Sequence, residues 1–159
     1  MKRVNVAAPQ FEYDKEDPEG FRSGMARLGK LLGGAEESGI TVYELPPGQA
    51  VCPYHYEVGE EEEEEWLLVL EGNPTLRHPD GSDRLDPWDV VFFEKGPAGA
   101  HGIRNETEDT ARVLMFSTVV VPTATVYPDS DKVGVWTGDP EADVIVRRSS
   151  KVDYFDGEA

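Results

Sequence analysis

The chain has 159 residues, with 32 acidic against 15 basic side chains and a formal charge of −17. A field of that sign repels phosphate backbones and anionic lipid surfaces, so neither nucleic acid nor a membrane is an expected partner. A single cysteine excludes an intrachain disulfide, no apolar run reaches the ~18 residues of a spanning helix, and no signal-peptide core opens the chain. One cytoplasmic domain is the expectation.

Residues 1–37 read as a polar arm, because Pro9, Pro18, Gly20 and Gly24 interrupt any period. Within it, residues 25–33 have the composition of a short helical turn, weakened by their glycines. Strand-like segments follow at Ile40–Leu45, Val51–Glu57, Trp66–Glu71, Thr75–His78, Val90–Glu94, Gly102–Asn105 and Ala111–Val121. Turn formers separate them: Pro46-Pro47-Gly48, Gly72-Asn73-Pro74, Pro79-Asp80-Gly81 and Pro97-Ala98-Gly99. Short strands with turn signals at this spacing predict an all-β sandwich or barrel over residues 38–121. Beyond Pro122, Thr123–Tyr127, Val133–Trp136 and Val144–Arg148 are candidate edge strands of an extension, residues 122–159, packed on that barrel.

Strand alternation puts residues i and i+2 on one face. His55 and Glu57 therefore project together, and His101 lies on a later strand that can close on them. In Trp66–Glu71 both faces are largely apolar, as in a strand with a filled barrel on one side and a packed layer on the other. Glu65 shares the face of Leu67 and Val69. If that face is the interior, its carboxylate needs a partner, because an unpaired buried charge is expensive. Two imidazoles with carboxylates suit a divalent transition metal, so His55, Glu57, Glu65 and His101 are the candidate ligands. Mn, Fe, Ni and Zn all fit such a set.

These residues resemble the two motifs of the cupin family. The first motif runs from Gly48 through His55 to Glu65, with Gly72 after six further residues; Glu57 stands where the family has a second histidine. The second retains Gly96, His101 and Asn105. Trp88 replaces its glycine, Glu94 its proline, and Pro97–Ala100 is an insertion. The resemblance implies a jelly-roll barrel, a metal on those side chains, and a homodimer in which the N-terminal arm is a candidate for exchange. Residues 127–135 and 152–158 are similar to a bacterial group of small single-domain cupins, some of which are labelled candidate sugar-phosphate isomerases.

Other residues have plainer readings. Glu60 to Glu64 make a solvated, self-repelling run, although a register slip would let Glu63 or Glu64 take the place of Glu65. Asn105 is a turn-former, Cys52 a small buried filler, and the aromatics are core or interface residues. Arg77 and Arg104 are the basic residues near the site strands, as anion holders or as members of surface ion pairs. Three functions remain open. A metal-dependent isomerase would act on a small carbohydrate-like or hydroxy-acid substrate, with Glu57 as ligand or as the catalytic base. The absence of a glycine-rich phosphate loop and the negative field point to an unphosphorylated substrate. An iron-dependent dioxygenase needs open coordination positions, and a non-catalytic module would keep the barrel only as a small-molecule pocket.

Overall fold

The computed structural model describes residues 1–33, 35–58 and 64–158. In chain order its first elements are β1 (Glu12–Tyr13), β2 (Gly24–Arg27), helix α1 (Leu28–Leu32), β3 (Ser38–Leu45), β4 (Tyr56–Val58) and β5 (Glu65–Glu71). Then come β6 (Thr75–His78), β7 (Gly81–Arg84), β8 (Val90–Phe93), β9 (Gly102–Arg104) and β10 (Ala111–Thr118). The C-terminal part supplies β11 (Thr123–Tyr127), β12 (Lys132–Trp136) and β13 (Val144–Arg147). Three sheets result, in the orders β1-β2-β3-β10-β5-β8, β13-β12-β11-β4 and β7-β6-β9. The fold is the expected all-β jelly roll.

The core lies where the large sheet faces the small one. Leu67 and Val69 of β5 sit opposite Met115 and Val113 of β10 in the register. All four are buried together with Leu45, Leu76, Phe93 and Ile103. Alternation therefore sends Glu65 inward with Leu67 and Val69, while Trp66 turns out to stack on Phe92 and Phe116. A second, smaller cluster forms where Val4, Val6 and Phe11 of the arm pack on Ala26, Leu28 and Val42.

Several local expectations change. The first three residues of the predicted helical turn at 25–33 are strand, because β2 pairs with β3 and only Leu28–Leu32 is helical. Backbone pairing outweighs the weak propensity of a glycine-interrupted helix. The arm also contributes β1, which hydrogen-bonds to β2 of the same chain. Val51–Glu57 is not one strand: residues 51–54 bend, His55 forms an isolated bridge, and pairing resumes at Tyr56. Of the acidic run, Glu60 to Glu63 lie outside the described residues. No helix among those described is long and apolar enough to cross a membrane.

Candidate metal centre

Two close backbone approaches build the centre. His55 and His101 exchange both backbone hydrogen bonds, at 3.0 and 2.9 Å, which sets their rings 4.7 Å apart. Each Nδ1 lies against a carbonyl two residues earlier, His55 against Pro53 O at 3.0 Å and His101 against Gly99 O at 2.9 Å. A carbonyl can only accept, so both Nδ1 atoms carry the proton and donate it. That leaves Nε2 of each ring as the metal-facing nitrogen, which is how metal-ligating histidines are commonly held by their surroundings. The Gly99 carbonyl is in place because a one-turn 3₁₀ helix, Gly96–Gly99, packs against Glu94. A Cβ on Gly99 would stand 1.6 Å from Glu94 O, so no other residue fits there.

The carboxylates arrive from two different sheets. Glu65, at the start of β5, puts Oε2 3.2 Å from His101 Nε2, and Glu57, on β4, puts Oε1 3.0 Å from His55 Nε2. Although the Glu65 oxygen is close, His101 Nε2 has no hydrogen bond and is buried. The two are near enough to attract but out of line for a shared proton. A lone pair thus faces an anionic oxygen in the interior, an arrangement that a cation between them relieves. Ligand atoms of His55, Glu65 and His101 all lie within 4.8 Å of one another. The cluster could hold a divalent metal, and its donors fit one on chemistry as well as spacing.

Protonation follows the same contacts. Burial opposes the His55 imidazolium, but the Cys52 sulfur and the Glu57 carboxylate outweigh it and raise the pKa well above the ordinary histidine value. Burial likewise opposes the Glu57 carboxylate. The hydrogen bond from His55 and the charges of both histidines overcome it, holding Glu57 below its usual range. The metal-free pair is therefore His55 imidazolium with Glu57 carboxylate, and a metal must displace that proton.

The fold thus brings together the four residues singled out by spacing, with Glu57 engaged by His55 outside the tightest group of three. Glu64 is exposed, its backbone N–H donates to Thr118 Oγ1, and among the described residues no ion pair joins its carboxylate to a histidine. Asn105 is fully buried and serves the backbone: Nδ2 donates to Leu45 O and Asp109 O, and Oδ1 accepts from Thr107. Arg77 pairs with Asp129, and Arg104 donates to Gly48 O, both away from the centre. Three neighbours were not legible beforehand. Phe93 stacks on His101 at 3.7 Å, Tyr127 stacks on His55 at 6.0 Å, and Cys52 Sγ lies 3.6 Å from His55 Nδ1. Tyr127 gets there because β11 pairs with β4, setting Thr125 opposite Glu57. The alternation of Thr123–Tyr127 was visible, but its pairing partner was not.

The sequence profile of the cupin domain matches residues 41–117, which contain the whole cluster. Residues 41–117 are therefore similar to a cupin domain. Solved structures extend the likeness beyond that stretch. A candidate sugar phosphate isomerase from Acidithiobacillus ferrooxidans is 25% identical with a TM-score of 0.74, over 84% of this chain and 81% of that one. A cupin-superfamily sugar phosphate isomerase from Silicibacter pomeroyi is 22% identical with a TM-score of 0.78, over 97% and 98%. A polyketide cyclase from Streptomyces resistomycificus is 27% identical with a TM-score of 0.60, over 74% and 79%. No curated protein matches this chain in sequence.

Proposed function

We propose that this chain is a metal-dependent enzyme of isomerase type, acting on a small carbohydrate-like or hydroxy-acid substrate. The observation that carries the reading is the buried, unbonded His101 Nε2 beside the Glu65 carboxylate and the second imidazole. His55, Glu65 and His101 would hold Mn, Fe, Ni or Zn, which supplies Lewis-acid polarisation of a substrate carbonyl. Glu57 serves as the base. Its carboxylate takes a proton from the hydroxyl-bearing carbon beside that carbonyl and returns it to the former carbonyl carbon. The hydroxyl proton passes to the carbonyl oxygen, so that carbonyl and hydroxyl exchange places. Phe93 fixes the plane of the His101 ring, and Tyr127 on β11 covers His55 from the C-terminal extension. Among the described residues no lysine or arginine pairs with Glu57 or Glu65, which supports an unphosphorylated substrate despite the sugar phosphate isomerase names of two structural relatives. A homodimer belongs to the same reading, supported by the cluster of half-buried Trp66 with exposed Phe92 and Phe116 on the large sheet.

The deciding experiment is elemental analysis of the purified protein beside His55→Ala and His101→Ala. It is followed by NMR of aldoses, hydroxy acids and their phosphates incubated with the loaded protein in D2O. Near-stoichiometric metal lost in both variants, with solvent deuterium entering an unphosphorylated substrate, supports the proposal. Failure to take up any of the four metals would sink it, and turnover confined to phosphorylated sugars would overturn the substrate class.

Two histidines with one carboxylate also form the set used by non-haem iron oxygenases, with positions left for oxygen and substrate. This favours iron-dependent dioxygenase chemistry as the second reading. Oxygen consumption by anaerobically iron-loaded protein, dependent on an added candidate substrate, separates it from the first.

A further inference from the structure

On the opposite side of the strands that carry the histidines lies a cavity of about 460 Å³, within the ~300–1,000 Å³ usual for small-molecule sites. Its floor is the outward face of the small sheet. Thr75 and Arg77 of β6 and Gly102 and Arg104 of β9 point there, alternating with Leu76 and Ile103, which point into the core. Both terminal extensions supply walls, Phe21 from the arm, Asp129 and Ser130 from the turn after β11, and Lys132 from the start of β12. The segment Cys52 to Tyr54, which leads into His55, separates this cavity from the metal centre.

Its chemistry differs from that of the molecule around it. Two aromatic rings line the cavity, and each carries a guanidinium: Arg77 sits 3.9 Å from the centre of Tyr54 and Arg104 5.7 Å from that of Phe21. Arg77 is committed to Asp129 by two hydrogen bonds, which also pin the C-terminal turn over the sheet. Glu106 is bonded to Thr75 Oγ1. Arg104 uses Nη1 on Gly48 O, and among the described residues its remaining N–H groups meet no acceptor. Lys132 Nζ lies 5.2 Å from the centre of the Tyr127 ring and has no carboxylate within ion-pair distance among the described residues. Three cations against two carboxylates leave one positive charge in excess, in a chain whose total is −17.

We propose that this cavity is a second ligand site, for a small organic monoanion with a flat apolar body, such as an aryl carboxylate. Arg104 and Lys132 supply donors for two carboxylate oxygens, and Phe21 and Tyr54 receive the ring. A phosphate dianion is the poorer match, because a cavity with one positive charge in excess leaves its second charge unanswered. The site stands independently of the isomerase reading, since none of the four candidate metal ligands lines it.

Benzoate is the test probe, titrated calorimetrically into the protein as purified and compared with inorganic phosphate. The variants are Arg104→Gln, Lys132→Gln and Ser82→Phe, the last an exposed strand position opposite Arg77 that fills the cavity while leaving Arg104 and Lys132 in place. The expected result is saturable binding of one benzoate per chain, weakened about tenfold or more in each variant, with metal content unchanged. No saturation by about 10 mM benzoate, affinity unaltered in Ser82→Phe, or tighter binding of phosphate than of benzoate overturns the proposal. Should either charge variant fail to fold, Ser82→Phe alone decides between these outcomes.

Discussion

Asn105→Ala tests whether the last residue of the second motif serves the fold or the metal. Asn105 is wholly buried and uses every hydrogen-bonding position it has near one chain crossing. Nδ2 donates to Leu45 O and to Asp109 O, both at 2.7 Å, and Oδ1 accepts from Thr107 N at 3.0 Å and Thr107 Oγ1 at 2.7 Å. Its backbone is tied as well, with N–H to Gln49 O and C=O from Gly48 N, both at 2.8 Å. Alanine keeps the backbone bonds and removes the four side-chain ones. At a net ~0.5–1.5 kcal/mol each, and allowing for the Thr107 hydroxyl, whose single proton can turn to Asp109 O once Oδ1 is gone, the loss is about 2–4 kcal/mol. For a chain of this size that lowers Tm by roughly 5–15 °C. Asn105→Asp is the sharper control, because it preserves shape but sets a carboxylate oxygen against two carbonyls, and it should destabilise at least as much. The assay is urea denaturation with metal analysis of the same samples. A variant within about 0.5 kcal/mol of the parent, or one that keeps its stability but loses metal, would refute the structural role.

Trp88 takes the place of a motif glycine at φ +76°, with 72% of its surface exposed. A left-handed conformation costs an L-residue ~1–2 kcal/mol, and glycine gives part of that back through greater unfolded-state entropy. Trp88→Gly should therefore stabilise by about 1 kcal/mol or less, and a lower urea midpoint would contradict this. Glu65→Gln should lower metal affinity about tenfold or more, read by competition with a chromogenic chelator; unchanged affinity would remove Glu65 from the ligand set. Because His55 carries a proton that the metal must displace, affinity should rise about tenfold per pH unit around neutrality. A flat profile between about pH 6 and 8 would contradict the imidazolium–carboxylate pair. Burial raises the Glu44 pKa, yet bonds from Tyr13 and Arg112 hold it below the ordinary value. A depressed folded-state pKa means stability that is present above the unfolded value of 4.5 and lost as pH falls through the folded one. Arg112→Met should flatten that acid limb in pH-dependent denaturation, and an unaltered limb would argue against the pair.

The pattern of residues was enough to identify the all-β barrel and to single out His55, Glu57, Glu65 and His101, which the fold sets close together. Alternation is local chemistry: the parity that aims Leu67 and Val69 inward also aims Glu65, and the His55–Glu57 spacing survives although the strand begins only at Tyr56. Gly72 was legible for a similar reason. At φ +74°, with Ala111 Cα 2.8 Å from where a Cβ would be, only glycine fits that turn. Tertiary pairing decided the rest. Which nitrogen of each histidine is free depends on carbonyls of Pro53 and Gly99 that the backbone path brings alongside. That Tyr127 covers His55, and that Phe21 and Lys132 meet across one cavity, follows from contacts between segments far apart in the chain. Periodicity fixes which way a side chain faces on its own strand. The strand or ring it meets is chosen by long-range burial and hydrogen bonding, which no local window contains.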